Sequence, residues 1–564
     1  MGLEEVNPIK VDIHQFYGIE INDFAVSVAT TALWIAESQM MKETSEIISF
    51  DLDMLPLKTY RNIKEGNALK LPWTEWEKAE DRSIIVAGRT NLYIRPEIPA
   101  SRVGEAVAHY GEIDLYSEEV SINPSREKET YIVYFHYIMG NPPFVGARLM
   151  TESQKQDMSE LFGAKWKNLG NMDYVSGWYY KAAKVMTASL KTRTALVSTN
   201  SITQGEQVAN LWKPLVENMG MHIDFACRTF RWDSESSLKA RVHCVVIGFS
   251  MDGGEREKLI FTESSEPLHV RHINPYLVDG QNVWIESRNS PLCDVPEIGI
   301  GNKPIDGGNY LFTEDEMRVF IQKEPAAAKY FRKWVGADEF INRWFRYCLW
   351  LGDCQPNELR AMPECMKQVR AVRDFRLASK SEGTRKLADR PTRFHVENMP
   401  GGNYLLIPRV SSEKRRYVPI GYMDSDVFCS DSVHITQHAG LYHFGVLTSN
   451  VHMAWMRVVC GRLKSDYRYS KDIVYNNFPW PSPTDAQKAK IERTAQAVLN
   501  ARAEYPESSL ADLYDEVTMP AGLRQAHQDN DRAVMQAYGF SSGMTESGCV
   551  AALFERYGML SQKK

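Results

Sequence analysis

Asn141, Pro142, Pro143 and Phe144 are consecutive residues that together could bind a planar heterocycle carrying an amino group. Proline has no backbone N–H and a fixed φ angle, so we expect the carbonyl groups beside the two prolines to stay free as rigid acceptors. The side-chain carbonyl of Asn141 adds an acceptor, and Phe144 offers a flat face for stacking. The tetrapeptide therefore predicts a site that holds an amino group while its nitrogen attacks an electrophile.

The residues before this tetrapeptide predict the strand that positions it. The run TYIVYFHYIM at 130–139 is almost continuously apolar and predicts a central parallel strand buried on both faces. Two consecutive prolines cannot extend a strand, so the chain is expected to leave the sheet at its carboxyl edge. Ligands bind at that edge in open α/β sheets, which favours a functional site over an ordinary turn.

A second candidate lies near the start of the chain, where a strand predicted at 11–21 contains Glu20 close to its end. Asn22 or Asp23 can cap the helix predicted to follow. An acid between a buried strand and a helix can hydrogen-bond the hydroxyl groups of a ribose. An ordinary strand-to-helix junction with a surface glutamate is the alternative.

The order of the motifs FYGIEIND, GNALKLPW and IMGNPPFVGARLM resembles that of the γ-type N6-adenine DNA methyltransferases, most closely the MmeI-like restriction–modification enzymes. Further matching segments are DYVSGWYYKAA, FRWDSESSLKARVHCVVIGF and GRLKSDYRYSKDIVYNNFPWP. The resemblance implies an α/β fold in three parts: a Rossmann-like methyltransferase sheet, incomplete at its N-terminus, over 1–270, a mixed α+β target-recognition domain over 271–485, and a helical C-terminal region over 486–564.

The resemblance also implies roles for single residues. The implied cofactor of the chain is S-adenosylmethionine, and the implied partner is double-stranded DNA with a flipped adenine. The cofactor-binding positions are Glu20 and Ile21 at the ribose, and Asn67 and Ala68 beside the adenine of the cofactor. The adenine of the DNA would be held at Asn141, Pro142, Pro143 and Phe144.

The sequence departs from the family pattern at two places. No glycine-rich loop precedes Glu20, although the ribose acid of such sheets lies about 20 residues after that loop. Either a separate chain supplies the missing strand and loop, or the chain is a fragment with impaired cofactor binding. Residues 78–128 form a charged insertion without an assigned role.

Basic residues in the second half predict contacts with DNA. Lys367, Arg370 and Arg373 recur every three residues, which places them on one helical face suited to phosphates or simply to solvent. A second group stands between two strand-like segments, where arginines can enter the major groove and pair with guanine. This group consists of Arg409, Lys414, Arg415 and Arg416.

Composition bounds the function. The chain has 564 residues, 43% hydrophobic, and a net charge of -6, which argues against a protein that coats nucleic acid. No run approaches the ~18 apolar residues of a membrane helix, and we expect a cytoplasmic protein. No Glu-x-Lys triplet or metal-ligand motif occurs, so neither a nuclease nor a metal site is expected.

Two alternatives to the adenine methyltransferase stay open: a cofactor-deficient DNA-specificity module that needs a partner, and a protein-glutamine methyltransferase.

Overall fold

The computed structural model describes residues 11–48, 62–77, 130–164, 166–232, 242–253, 256–262, 266–463 and 465–562. The insertion predicted at 78–128 lies outside the described residues. The chain divides into two compact units, residues 1–136 and 137–564. No helix in the described ranges is long and apolar enough to cross a bilayer.

The first unit contains two pairs of short strands and one long helix. Strand β1 (Gly18–Glu20) pairs in parallel with β2 (Ile63–Glu65), and β3 (Glu75–Glu77) pairs antiparallel with β4 (Thr130–Ile132). Helix α1 (Asp23–Ile48) begins where the sequence predicts, because the Asn22 side chain accepts a hydrogen bond of 2.9 Å from the Ala25 N–H. β1 is shorter than predicted, since a 3-10 turn precedes it.

The prediction of one buried central strand over 130–139 is wrong. The run divides into β4 and β5 (Tyr137–Gly140), and β5 is an edge strand of its sheet as described. Tyr137 and Met139 are 69% and 82% exposed, so β5 is not buried on both faces. The apolar character of the run has another origin: Tyr131 lies opposite Trp76 in the β3–β4 pair, and the Phe135 ring contacts Tyr17 at 5.5 Å.

A mixed six-stranded sheet begins the second unit, in the order β10-β9-β7-β8-β6-β5. β5 runs parallel to β6, and β7 runs parallel to β9, whereas the other neighbours are antiparallel. Its remaining strands are β6 (Arg193–Thr199), β7 (His222–Trp232), β8 (Val242–Ser250), β9 (Lys258–Phe261) and β10 (Leu268–Val270). The accompanying helices are α2 (Glu152–Phe162), α3 (Ser176–Ala188) and α4 (Lys213–Glu217).

Three small sheets follow, with strand orders β11-β19-β15-β17, β12-β14-β13-β18 and β16-β21-β20. Their strands are β11 (Gly299–Ile300), β12 (Leu311–Phe312), β13 (Phe331–Val335), β14 (Arg346–Leu349), β15 (Tyr404–Pro408), β16 (Val410–Ser411), β17 (Gly421–Met423), β18 (Val427–Cys429), β19 (Val433–Gln437), β20 (Gly461–Leu463) and β21 (Asp466–Arg468). The helices among them are α5 (Glu314–Lys323), α6 (Ala337–Asn342), α7 (Pro356–Arg360), α8 (Pro363–Leu377), α9 (Glu382–Lys386), α10 (Leu441–Leu447) and α11 (Asn450–Val459).

The C-terminal region is helical, as predicted, and packs on α10 and α11. A side chain at Gly445 would place its Cβ 2.7 Å from the Ile491 side chain, so glycine allows the close approach of α10 to α12. Asn530 on α14 donates a hydrogen bond of 2.8 Å to the Gly445 carbonyl. The helices are α12 (Asp485–Ala503), α13 (Leu510–Leu513), α14 (Ala521–Tyr538) and α15 (Glu546–Gln562).

A backbone hydrogen bond joins the six-stranded sheet region to the end of helix α11. The Gly205 N–H, in the segment after β6, donates to the Val459 carbonyl at 3.0 Å. Gly205 has a φ of +59°, a left-handed conformation that favours glycine. A substitution there would strain this junction between the two regions.

Candidate functional site

The Asn141–Phe144 loop leaves the sheet at the carboxyl end of β5, beside the parallel strand β6. Asn141 is exposed, Pro142 is buried and Phe144 is half-buried. The Pro143 carbonyl accepts a hydrogen bond of 3.2 Å from the Val145 N–H, but no described group donates to the Asn141 side chain or to the Pro142 carbonyl. An exposed amide acceptor at Asn141 and the half-buried ring of Phe144 therefore lie in the loop at the carboxyl end of β5.

Asp173 binds the backbone just after this loop, at Ala147. Its Oδ1 accepts a hydrogen bond of 2.8 Å from the Ala147 N–H, and its Oδ2 accepts one of 2.5 Å from the Ser201 hydroxyl, just beyond β6. The Tyr174 N–H adds a bond of 2.9 Å to the Val145 carbonyl. Sequence reasoning did not single out Asp173, because its two side-chain partners are 26 and 28 residues away along the chain.

The first unit brings Glu20 and Asn67 to the same edge of the β1–β2 pair. Glu20 lies opposite Glu65, and the Gly66 N–H donates to the Glu20 carbonyl at 2.7 Å, one residue before Asn67. Glu20 is half-buried, whereas Ile21 is exposed. A carboxylate at the carboxyl end of a parallel strand fits the two hydroxyl groups of a ribose.

Asn67 and Ala68 form a hydrogen-bonded turn beside Glu20. The Asn67 carbonyl accepts from the N–H groups of Lys70 and Leu71, and the Trp73 indole donates to the Ala68 carbonyl at 2.8 Å. These bonds fix the backbone next to the carboxylate.

Lys367, Arg370 and Arg373 lie on α8, and all three side chains are exposed. Lys367 forms an ion pair of 2.6 Å with Glu364 one turn earlier. The predicted helical stripe is present, and its cations face solvent. Such a row can contact successive phosphates or form a solvated helix face.

Arg376 is the next residue at this spacing, and it is buried, with 1% of its surface exposed. Its guanidinium donates five hydrogen bonds of 2.8–2.9 Å to backbone carbonyls, which accounts for its five N–H groups. Burial lowers the pKa of Arg376 below its usual range. Its role is structural, and the row of exposed cations on α8 ends at Arg373.

The second basic group does not form one surface. Arg409, between β15 and β16, donates a hydrogen bond of 2.6 Å to the Asp431 carbonyl. Residues 414–416 instead line a cavity of about 470 Å³ against the C-terminal helices. Burial lowers the pKa of Arg415, while the nearby Asp466 and Asp515 raise it. Arg416 lies over the Tyr417 ring at 5.7 Å.

Two further arginines, not predicted from the sequence, accompany Arg409. Burial is the main cause that lowers the pKa of Arg468, and the positive charges of Arg148 and Arg409 lower it further. The negative charge of Glu206 raises this pKa. Arg148 follows the Asn141–Phe144 loop, whereas Arg468 ends β21 next to Tyr469, whose N–H donates to the Arg409 carbonyl at 2.8 Å. Isolated arginines in the sequence gave no signal for this cluster.

A buried polar network joins the small-sheet region to α14. The Tyr417 hydroxyl donates to Asp531 at 2.6 Å, and the Asn450 N–H donates to the same carboxylate at 2.8 Å. His527 stacks on the Tyr417 ring at 4.1 Å. Burial raises the pKa of Asp531 to about 6, and the two hydrogen bonds oppose the effect.

Models of three protein domains match most of this chain. Residues 2–262 match the model of the MmeI DNA-methyltransferase domain, residues 279–482 that of the MmeI target recognition domain, and residues 483–563 that of the MmeI C-terminal domain. The chain belongs to the MmeI family. The family resemblance and the mixed α/β fold class inferred from the sequence are both confirmed.

Two relatives support this membership. DNA methyltransferase A of Bacillus subtilis (strain 168) is 36% identical over 530 residues, which cover 94% of this chain and 54% of that protein. The chain thus spans about half the length of that relative. The structure of the type IIL restriction–modification enzyme MmeI in complex with DNA matches at 39% identity and a TM-score of 0.78, covering 98% of this chain and 67% of that one.

Proposed function

We propose that the chain carries the methyltransferase and DNA-recognition parts of a site-specific enzyme that methylates adenine N6 in a restriction–modification or defence system. The observation that carries the proposal is the Asn141–Phe144 loop, whose acceptors at Asn141 and Pro142 are free of described donors. S-adenosylmethionine is the proposed methyl donor. Its ribose is assigned to Glu20 and Ile21, and its adenine to Asn67 and Ala68.

The loop would act by holding a flipped adenine. Flipping costs roughly a few kcal/mol, which stacking on Phe144 and hydrogen bonds in the pocket offset. The carbonyl groups of Asn141 and Pro142 accept the two hydrogens of the amino group and so orient its nitrogen. Bound S-adenosylmethionine supplies an electrophilic methyl group. No strong base is needed, because much of the acceleration comes from positioning.

A DNA-specificity module that lacks methylation activity by itself is the second candidate. The exposed cations of α8 favour it, since they can bind DNA without a cofactor. A protein-glutamine methyltransferase is disfavoured. Residues 279–482 match a target recognition domain, and an enzyme that binds a short protein segment does not need such a domain.

Expression of the complete reading frame in cells without adenine methylation tests the proposal. Sequencing that detects N6-methyladenine should reveal one methylated motif. Asn141→Ala should abolish it while DNA binding persists, and Asn500→Ala, an exposed asparagine on α12, serves as the matched control. DNA binding without methylation by the unaltered protein would favour the specificity module, and loss of neither property in Asn141→Ala would refute the assignment of the loop.

A further inference from the structure

Asp173 has the geometry of a clamp between two segments that meet beside the Asn141–Phe144 loop. One carboxylate oxygen holds the Ala147 N–H at 2.8 Å and the other holds the Ser201 hydroxyl at 2.5 Å. Ala147 lies three residues after Phe144, and Ser201 lies two residues after the end of β6. The carboxylate thus links the loop after β5 to the carboxyl end of the neighbouring parallel strand.

We propose that Asp173 is a positioning residue for adenine methylation, which sets the Asn141–Phe144 loop relative to the carboxyl end of β6. The proposal rests on the methyltransferase function proposed above. Asp173 acts through the loop backbone. It is therefore distinct from the groups assigned to contact the adenine.

Asp173 and Ser201 each form a further hydrogen bond in their own surroundings. The Asp173 N–H donates to the Gln207 side chain at 3.1 Å, and the Ser201 hydroxyl also pairs with Thr199 at 2.8 Å. Hydrogen bonds to an ionised carboxylate are roughly twice as strong as neutral ones. A half-buried carboxylate that accepts from both segments can therefore fix their separation.

The residues after Phe144 have one further described bond to the segment that contains Asp173. Beyond Asp173, the bond from the Tyr174 N–H to the Val145 carbonyl is their backbone link to the same segment. A displacement of about 1 Å at a reacting group can cost about 10²-fold in rate. Loss of the Asp173 clamp should hence reduce the catalytic step more than the binding of DNA.

Three variants separate positioning from general stability. Asp173→Ala removes both side-chain bonds. Asp173→Asn keeps an oxygen for the Ala147 N–H and an amide that can donate to the Ser201 oxygen, so it should rescue most of the activity. Tyr174→Phe is the matched control, because it deletes a buried hydrogen bond of 2.8 Å to Asp157 but none to the loop.

The variants are made in the protein from its complete reading frame and measured in two ways. Hydrogen–deuterium exchange should be at least about tenfold faster at the Ala147 amide in Asp173→Ala than in the unaltered protein or in Tyr174→Phe. On unmethylated duplex DNA that contains the recognised motif, Asp173→Ala should lower kcat about 10²-fold with little change in KM for DNA.

Equal exchange at Ala147 in Asp173→Ala and the unaltered protein would overturn the clamp. An equal loss of kcat in Tyr174→Phe, or no rescue by Asp173→Asn, would reduce Asp173 to a structural residue and overturn the proposal. Absence of methylation by the unaltered protein would instead refute the proposed function. The exchange measurement needs no cofactor or DNA motif, so it would still test whether Asp173 holds the loop.

Discussion

The guanidinium of Arg376 donates a hydrogen bond of 2.8 Å to the carbonyl oxygen of Pro304, 72 residues earlier in the chain. Its other N–H groups bond the carbonyls of Ile305, Leu387, Arg390 and Arg393. One side chain on α8 therefore holds two irregular segments together. The stripe of exposed cations on the same helix depends on this anchor for its position.

Replacement of Arg376 by lysine should destabilise the protein by about 3 kcal/mol or more, since a lysine cannot reproduce the planar array and leaves buried carbonyls without donors. Urea denaturation measures the loss. Arg373→Lys, three residues away and exposed, should stay within about 0.5 kcal/mol of the unaltered protein. Similar stabilities of the two variants would contradict the structural role.

Replacement of Lys367, Arg370 or Arg373 by alanine should weaken binding to every DNA sequence alike. Because each of these cations would neutralise one phosphate, its removal should reduce the slope of log K against log salt by about one. Fluorescence anisotropy over a salt series checks this, with Arg318→Ala, an exposed arginine on α5 outside the stripe, as the control. An unchanged slope would assign the stripe to solvent.

Arg409→Ala should cost about 1–3 kcal/mol on the recognised site and relax one base position, if its guanidinium reads a base. Arg415→Ala should instead lower stability and leave the motif unchanged, because Arg415 is half-buried near Asp466 and Asp515. Sequencing of the methylated motif in cells that express each variant distinguishes them. A motif altered by Arg415→Ala alone would reverse this division.

Arg148→Gln and Arg468→Gln should weaken binding to unrelated duplexes and leave the methylated motif intact. Three arginines stand against the single carboxylate of Glu206 here, and a DNA phosphate would offset the remaining positive charge. Anisotropy at several salt concentrations should show a shallower slope for each variant. If both variants bind DNA as tightly as the unaltered protein, the cluster does not contact DNA.

Asp531 should make stability fall as pH rises through about 6. Its pKa is raised from 3.8 to about 6 by burial, so between these values the folded state keeps a proton that the unfolded state has lost. Below this window both states are protonated, and the penalty is absent. Thermal unfolding between pH 4 and 8 should show a smaller decline in Asp531→Asn, and parallel curves would refute the shift.

Local patterns predicted the elements that depend on neighbouring residues. The start of α1 follows from Asn22, and the exposed stripe of α8 follows from three-residue spacing. The strand at 130–139 was wrong because hydropathy does not reveal which partner buries a residue: Phe135 contacts Tyr17, more than one hundred positions away.

In the candidate site, too, local features could be predicted from the sequence and long-range contacts could not. The Asn141–Phe144 loop was predicted at the end of a parallel strand, and it lies there. Neither the clamp at Asp173 nor the burial of Arg376 could be predicted, because both arise from partners brought together by the tertiary fold. Arg376 continues the spacing of Lys367, Arg370 and Arg373, yet long-range backbone carbonyls determine its role.

The bond between Tyr417 and Asp531 also constrains how members of this family can recombine. Tyr417 lies within the segment matched to the target recognition domain, and Asp531 lies within the segment matched to the C-terminal domain. In a crossover between these segments, a target recognition domain without this tyrosine would leave the buried Asp531 carboxylate without that donor, and an α14 without this aspartate would leave the Tyr417 hydroxyl without its acceptor. Recognition specificity should therefore be inherited as a block that extends through α14.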